Sequence, residues 1–223
     1  MRIESCEFPD ELLYEPDGLV WLRPEASGEV VLGITSLHAA VAGRLTRVEA
    51  RPVGKEYGRG KSVGTLESGR YFGPIRTPVR GLLVAVNPDA VRTPKTMSER
   101  PYAEGWFARL RPLAWEEDCG VLKSAGEAKE LLAAQMTSLH VHCFAAFPDY
   151  ELFEIGTECS AVLTKLDDTL SRAADGEVVH LVSDDWTAPA EMVNWSQRTG
   201  YPVIEERTEG NLYHFLVRKR TWD

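Results

Sequence analysis

The apolar residues of this chain change their spacing part-way along the sequence, and that change limits the folds open to it. Across residues 18–112, short apolar runs such as Leu82–Val86 alternate with glycine and proline. Short strands separated by frequent turns are typical of a small sandwich or barrel. The spacing then becomes helical over residues 124–134, where Ser124 is a suitable N-cap and Glu127 follows three residues later. We therefore predict an all-β N-terminal domain that ends in a helix.

Strand and helix patterns alternate in the remainder of the chain, beyond a predicted linker at residues 136–148. The segments Tyr150–Ile155 and Val178–Val182 have the composition of strands, and each precedes a segment with apolar residues at helical spacing. Two closing strands follow, on either side of Glu209 and Gly210. The predicted order is β-α-β-α-β-β, an α/β two-layer sandwich. The predicted domains are residues 1–135 and 149–223.

Charge and cysteine content exclude several classes of function. The net charge is −9, and residues 149–223 carry 15 acidic and 7 basic side chains, so that we expect no nucleic-acid partner. No run reaches the roughly 18 apolar residues of a membrane span, and we predict a cytoplasmic protein without a membrane partner. The cysteines lack CxxC spacing and are predicted to be reduced thiols; they are Cys6, Cys119, Cys143 and Cys159.

A series of short motifs in the N-terminal domain resembles the glycine-cleavage H-protein family. The motifs are, in chain order, Val31–Thr35, Gly43–Leu45, Leu66–Ser68, Thr77–Gly81 and Pro101–Phe107. The combination of Pro-Tyr-x-Glu-Gly-Trp with Glu-Ser is quite specific. The resemblance implies the flattened β-sandwich of lipoyl domains, a barrel-sandwich hybrid in which a tight hairpin presents a lysine for lipoylation.

Arg70 occupies the position at which that family has its lysine, two residues after Glu-Ser. Attachment of lipoate needs an amine that can lose its proton, whereas a guanidinium stays protonated and delocalised. We therefore expect no lipoate cofactor. One interpretation is a reassigned hairpin with a basic face for an anionic ligand or partner; its cations are Arg59, Lys61, Arg70, Arg76 and Arg80. The simpler alternative is a degenerate carrier module retained as a docking scaffold.

A second resemblance, to the TusA/SirA-like sulfur-carrier family, covers about residues 149–220. It rests on Ile155–Cys159 before an amphipathic helix, and on Gly176–Asp185 and Tyr213–Lys219. It implies a persulfide on Cys159, and a helix N-terminus stabilises the required thiolate. Glu158 opposes this effect by raising the thiol pKa. The two prolines that follow the cysteine in that family are absent, and an idle buried cysteine is the alternative.

Three potential metal ligands, His140, His142 and Cys143, lie within four residues. In an extended segment the two histidines share one face and Cys143 points away, so that one ion cannot easily bind all three. We therefore predict no metal site.

The leading hypothesis from these patterns is a sulfur-trafficking protein of the sulfurtransferase type. Cys159 would pass persulfide sulfur from a donor enzyme to an acceptor enzyme, and the N-terminal domain would be a non-lipoylated docking module. The alternative is a non-catalytic adaptor in which both carrier sites have decayed. Cys159→Ser separates the two, since an adaptor keeps its function and a carrier loses it. A true H protein of glycine cleavage ranks third because of Arg70.

Overall fold

A computed structural model describes residues 1–220 of the 223-residue chain, apart from the side chain of Cys159. The chain divides into two compact units, Met1–Cys143 and a second unit that begins at Phe144. Each unit has its own cluster of buried apolar side chains. No helix within the described residues is long and apolar enough to cross a membrane.

The first unit consists mainly of short antiparallel strands. They are β1 (Arg2–Ile3), β2 (Cys6–Glu7), β3 (Leu13–Glu15), β4 (Val20–Pro24), β5 (Val30–Ile34), β6 (Leu45–Ala50), β7 (Glu56–Tyr57), β8 (Ser62–Ser68), β9 (Phe72–Arg76), β10 (Gly81–Val86), β11 (Ala108–Pro112) and β12 (Lys123–Ser124). The largest sheet has the order β12-β3-β4-β5-β11-β10-β7, a second sheet is β6-β8-β9, and β1 pairs with β2.

The second sheet packs against the first through Phe107, which precedes β11. A Cβ atom added to Gly64 of β8 would collide with the Phe107 ring, so the ring lies directly against the β8 backbone. Phe107 is fully buried, and all five residues of β5 are buried as well. A continuous apolar run of this kind is expected for a strand at the centre of a core. The predicted N-terminal β-sandwich is confirmed.

Short helices connect the strands of the first unit, and a longer helix closes it. They are α1 (Ser36–Ala42), α2 (Pro88–Arg92), α3 (Lys95–Glu99), α4 (Trp115–Asp118) and α5 (Ala125–Leu139), with a 3₁₀ turn at Cys119–Val121. The predicted cap of α5 is confirmed as a complete capping box between Ser124 and Glu127. The helix runs to Leu139, into the segment predicted as a linker, and ends where His140 adopts the left-handed conformation.

Cys6 and Cys143 form a disulfide, which corrects the prediction that all the cysteines are reduced thiols. His140 turns the chain back at the end of α5, and the amide of Val141 donates to Met136 O at 3.2 Å. This path brings Cys143 to β2, where Cys6 is fully buried. The two residues are 137 positions apart, so no local spacing motif indicates that they pair.

The second unit has one four-stranded sheet and two helices. Its elements are β13 (Tyr150–Glu154), α6 (Cys159–Arg172), β14 (Val178–Ser183), α7 (Ala188–Thr199), β15 (Val203–Glu209) and β16 (Leu212–Arg218). The sheet order is β13-β14-β16-β15, with β13 and β14 parallel and the other pairs antiparallel. Apolar side chains of both helices, such as Leu166 and Trp195, pack with Phe215 of β16 in one core.

Candidate functional site

The tip of the β8–β9 hairpin is organised by the hydroxyl group of Ser68. This oxygen accepts hydrogen bonds from the amides of Arg70 at 3.2 Å and Tyr71 at 3.1 Å, and it donates to Ala42 O of α1 at 2.6 Å. The Ser68 amide donates to Tyr71 O at 2.8 Å and closes the turn. Serine side chains commonly stabilise turns in this way. The Glu-Ser motif therefore both shapes the tip and attaches it to α1.

The Arg70 side chain lies against the C-terminal end of α1. Its Nη2 atom donates to Ala40 O at 3.0 Å. A Cβ atom added to Gly43 would lie 2.8 Å from Arg70 Nε, so the absence of a side chain at Gly43 makes room for the guanidinium. A cation is favoured at this end of a helix because the last carbonyl groups carry partial negative charge. Arg70 therefore contacts its own fold.

A buried histidine of α1 supports the tip through a hydrogen bond with Tyr71. Tyr71 OH and His38 Nε2 of α1 are 2.9 Å apart, and His38 is only 4% exposed. Burial lowers the pKa of His38 to about 4 and raises the pKa of Tyr71. The imidazole is therefore neutral at pH 7, and the tip rests on an uncharged hydrogen-bonded pair. Sequence analysis missed both residues; the aromatic side chain directly after Arg70 was the available signal.

Phe72 is the exposed apolar side chain at the tip. It is 74% exposed and is paired with Glu67 across the hairpin. Gly69, at the turn, has no other residue near the place where a side chain would project. We refer to Gly69, Arg70 and Phe72 as the tip surface. It combines a large apolar group with a fixed cation, and aromatic and arginine side chains are the ones that dominate the energetics of protein interfaces.

The predicted basic face of five cations is corrected, because Arg70 lies apart from the others, whereas Arg59 and Arg76 line one pocket. Arg70 is at the tip, whereas Arg76 ends β9 at the other end of the hairpin. Lys61 precedes β8 and is about 20 Å along the strand from the tip. Arg80 donates from Nε to Asp118 Oδ2 at 3.0 Å, and this hydrogen bond holds the pKa of the Asp118 carboxyl below its usual value. Arg80 therefore stabilises the first unit itself.

The remaining predicted residues belong to other elements of the chain. Cys159 is the first residue of α6, but its side chain lies outside the described residues, so its reactivity stays a prediction. Cys143 is bonded to Cys6, and His142 Nδ1 is 2.9 Å from Glu4 Oε2.

Comparison with known proteins decides the family. The sequence model of the family described as glycine cleavage H-protein matches residues 12–135, which is more than half of the chain. The chain belongs to the glycine cleavage H-protein family. Glycine cleavage system H protein 5 of Aquifex aeolicus (strain VF5) is 37% identical over 146 residues, which cover 64% of this chain and 98% of that protein.

Two further relatives match over most of their own length. Probable glycine cleavage system H protein 2 of Sulfurisphaera tokodaii is 36% identical over 112 residues, or 49% of this chain and 76% of that protein. A crystal structure of a glycine cleavage system H protein from Mycobacterium marinum matches with a TM-score of 0.49 and 31% identity, and covers 55% of this chain and 98% of that one.

Family membership corrects two predictions. The hypothesis of a sulfur-trafficking protein with a non-lipoylated docking module is wrong, because relatives at 33–37% identity are named glycine cleavage system H proteins. The H-protein function of glycine cleavage ranks third among the hypotheses drawn from the sequence. The expectation that the protein works without lipoate is wrong for the same reason, since lipoate is the cofactor of the H-protein family. The first error comes from combining Arg70 with the resemblance around Cys159, and the second comes from Arg70 alone.

The residues at the hairpin tip do not fit an amide-linked lipoyl group. The side chain at position 70 ends in a guanidinium, which lacks the nucleophilic amine that such a linkage requires. The guanidinium also donates a hydrogen bond to Ala40 O of α1. Lys61 is at the far end of β8, so no lysine belongs to the turn at Gly69–Tyr71. Arg70 therefore establishes only that position 70 is not an attachment point for lipoate.

Proposed function

We propose that this chain has an H-protein function, in which it engages the enzymes of a glycine cleavage system through the tip surface. The observation that carries this proposal is the family match over residues 12–135, because this stretch contains the whole β8–β9 hairpin and the helix on which its tip rests. The full length of the Aquifex aeolicus H protein is matched almost completely, at 98%.

The geometry of the tip supports docking of a protein partner. The turn is held by Ser68 and by the Tyr71–His38 pair, so little conformational entropy remains to be lost when a partner binds. Phe72 is 74% exposed and available for burial in an interface. Full burial of a phenylalanine side chain contributes about 1.5–3 kcal/mol, which corresponds to an affinity change of at least about tenfold.

Binding measurements with matched variants test the proposal. The purified chain is titrated against each glycine cleavage enzyme of the same host, with the dissociation constant as the readout. We expect wild-type protein to bind at least one enzyme, and Phe72→Ala to weaken that binding about tenfold or more. Val53→Ala is the control, because Val53 is also exposed, at 52%, but lies beyond the opposite end of the same sheet.

Two outcomes contradict the proposal. One is that the wild-type chain binds none of the enzymes. The other is that Phe72→Ala and Val53→Ala affect binding equally, because the interaction would then not involve the tip surface.

For the second unit we propose a TusA-like fold. The order β13-α6-β14-α7-β15-β16 and the packing of both helices in one core with the sheet support this proposal. The family match to H proteins ends at residue 135 and does not extend to this unit. An experimental structure of the full chain tests it: strands paired in another order than β13-β14-β16-β15 would contradict the TusA-like assignment.

A further inference from the structure

A row of exposed side chains borders the tip surface and crosses the three strands of the second sheet. Phe72 of β9 is paired with Glu67 of β8, and Glu67 is paired with Arg47 of β6. Residues directly opposite each other on neighbouring strands project from the same face, with Cβ atoms about 4.5–5.5 Å apart. The side chains of Glu67 and Arg47 are 46% and 64% exposed. A carboxylate therefore stands directly beside the exposed Phe72 ring.

Glu67 has a long ion pair within the chain. Its Oε2 atom lies 4.0 Å from Nη1 of Arg47, whereas Nη2 of Arg47 lies 2.5 Å from Oε1 of Glu49. Arg47 therefore makes its close ion pair with Glu49. Exposed ion pairs contribute little to stability, so Glu67 can exchange Arg47 for a cation of a partner with little loss to the fold.

The charge of the chain favours a partner that presents a cation here. The net charge is −9, so a basic docking face is attracted and an acidic one is repelled. Charged side chains beside an apolar contact fix the register of an interface and exclude partners of the wrong sign. The Arg70 guanidinium is directed towards α1, where it donates to Ala40 O. Glu67 is thus the acidic group next to the apolar anchor Phe72.

We propose that Glu67 is a specificity-determining residue beside the tip surface, and that the partner presents a lysine or arginine next to an apolar pocket for Phe72. This inference rests on the proposed H-protein function and adds the chemistry of the partner at that surface. On docking, the partner's cation replaces Arg47 as the ion-pair partner of Glu67, and Arg47 keeps its pair with Glu49. Arg47 therefore competes with the partner for Glu67.

Association rates at low and high salt test this inference. The full-length chain is mixed with each glycine cleavage enzyme of the same host, at about 0.02 M and about 0.5 M salt, because salt screens exposed charges. At low salt we expect Glu67→Gln to slow association about threefold and Glu67→Lys about tenfold or more, since a charge at the edge of an interface acts mainly on the association rate. At high salt the rates of both variants should approach that of wild type.

Two further variants separate recognition from other effects. Glu56→Gln is the matched control, because it removes the same charge from β7, an edge strand of the largest sheet. We expect it to change the association rate far less than Glu67→Gln does. Arg47→Gln removes the competing cation, and we expect it to speed association about twofold at low salt. A row that serves only the structure of the sheet predicts the opposite, slower association of Arg47→Gln.

The outcomes distinguish this inference from the proposed function. If the wild-type chain binds no enzyme of the system, both are contradicted. If Phe72→Ala weakens binding while Glu67→Lys leaves the association rate unchanged, the proposed function stands and the inference is overturned. Equal slowing by Glu67→Gln and Glu56→Gln would show an effect of net charge without a contact at Glu67, and would overturn the inference too. Slower association of Arg47→Gln would overturn it in the same way.

Discussion

Acidification should destabilise the first unit because its fold keeps His38 neutral. His38 is buried, its Nε2 atom is hydrogen-bonded to Tyr71, and its buried Nδ1 atom has no hydrogen-bond partner among the described residues. Burial lowers the pKa of His38 from 6.5 to about 4. Between these two pH values the unfolded chain binds a proton at His38 and the folded unit does not. The free energy of unfolding is therefore highest above pH 6.5 and falls as the pH decreases towards 4.

The size of the effect follows from the pKa difference. A pKa shift of this size contributes about 3 kcal/mol to the free energy of unfolding at pH values well above 6.5. About 2 kcal/mol of that is lost between pH 7 and pH 5. Hydrogen bonds from Arg80 lower the pKa of Asp118, and those from Ser124 lower the pKa of Glu127. The contributions of these carboxylates are lost mainly below about pH 4.5, so the range from pH 7 to 5 reports on His38.

The assay is native-state hydrogen exchange of the β5 amides, which measures the unfolding free energy of the first unit alone. It is recorded at pH 5, 6 and 7 for wild type, His38→Gln and His142→Gln. We expect wild type and His142→Gln to lose about 2 kcal/mol from pH 7 to pH 5, and His38→Gln to lose little. Equal pH dependence in wild type and His38→Gln would refute the argument, as would an NMR titration that shows His38 protonating above pH 6.

Three further predictions concern single sites. Gly43→Ala should lower the stability of the first unit by about 1–3 kcal/mol in thermal unfolding, because φ is 72° and ψ is −160° there and the new Cβ would displace Arg70; an unchanged midpoint would contradict this. Ser124→Ala should cost about 1 kcal/mol through loss of the capping box, and a loss no larger than for an exposed serine elsewhere would argue against it. Limiting iodoacetamide should modify Cys159 faster than Cys119, because Cys159 begins α6; equal rates would remove the prediction of an activated thiol.

Local patterns were sufficient to predict the β-rich class of the first unit and the helix that closes it. The capping box of α5 is a relation between residues three positions apart, and the β-sandwich follows from short apolar runs between turns. The support of the tip could not be predicted, because His38 and Tyr71 are 33 positions apart and meet only when the hairpin packs on α1. The disulfide joins residues 137 positions apart. Contacts of this kind depend on the whole topology.

The function was misjudged for a different reason. The sulfur-trafficking hypothesis extends two local features, Arg70 and the resemblance around Cys159, to the whole protein, although the surroundings of Arg70 match the H-protein family over residues 12–135. In the structure Arg70 donates a hydrogen bond to Ala40 O near the end of α1. That role concerns the tip alone and does not change the family.

Mapping the surface that a glycine cleavage enzyme covers tests the central claim most directly. Hydrogen exchange of the full chain is measured with and without the host's glycine cleavage enzymes at saturating concentration. We expect slower exchange at residues 68–73, which contain the tip surface, and no change at residues 51–54 at the far end of the same sheet. Unchanged exchange at residues 68–73 with every enzyme of the system would contradict an H-protein function through this surface.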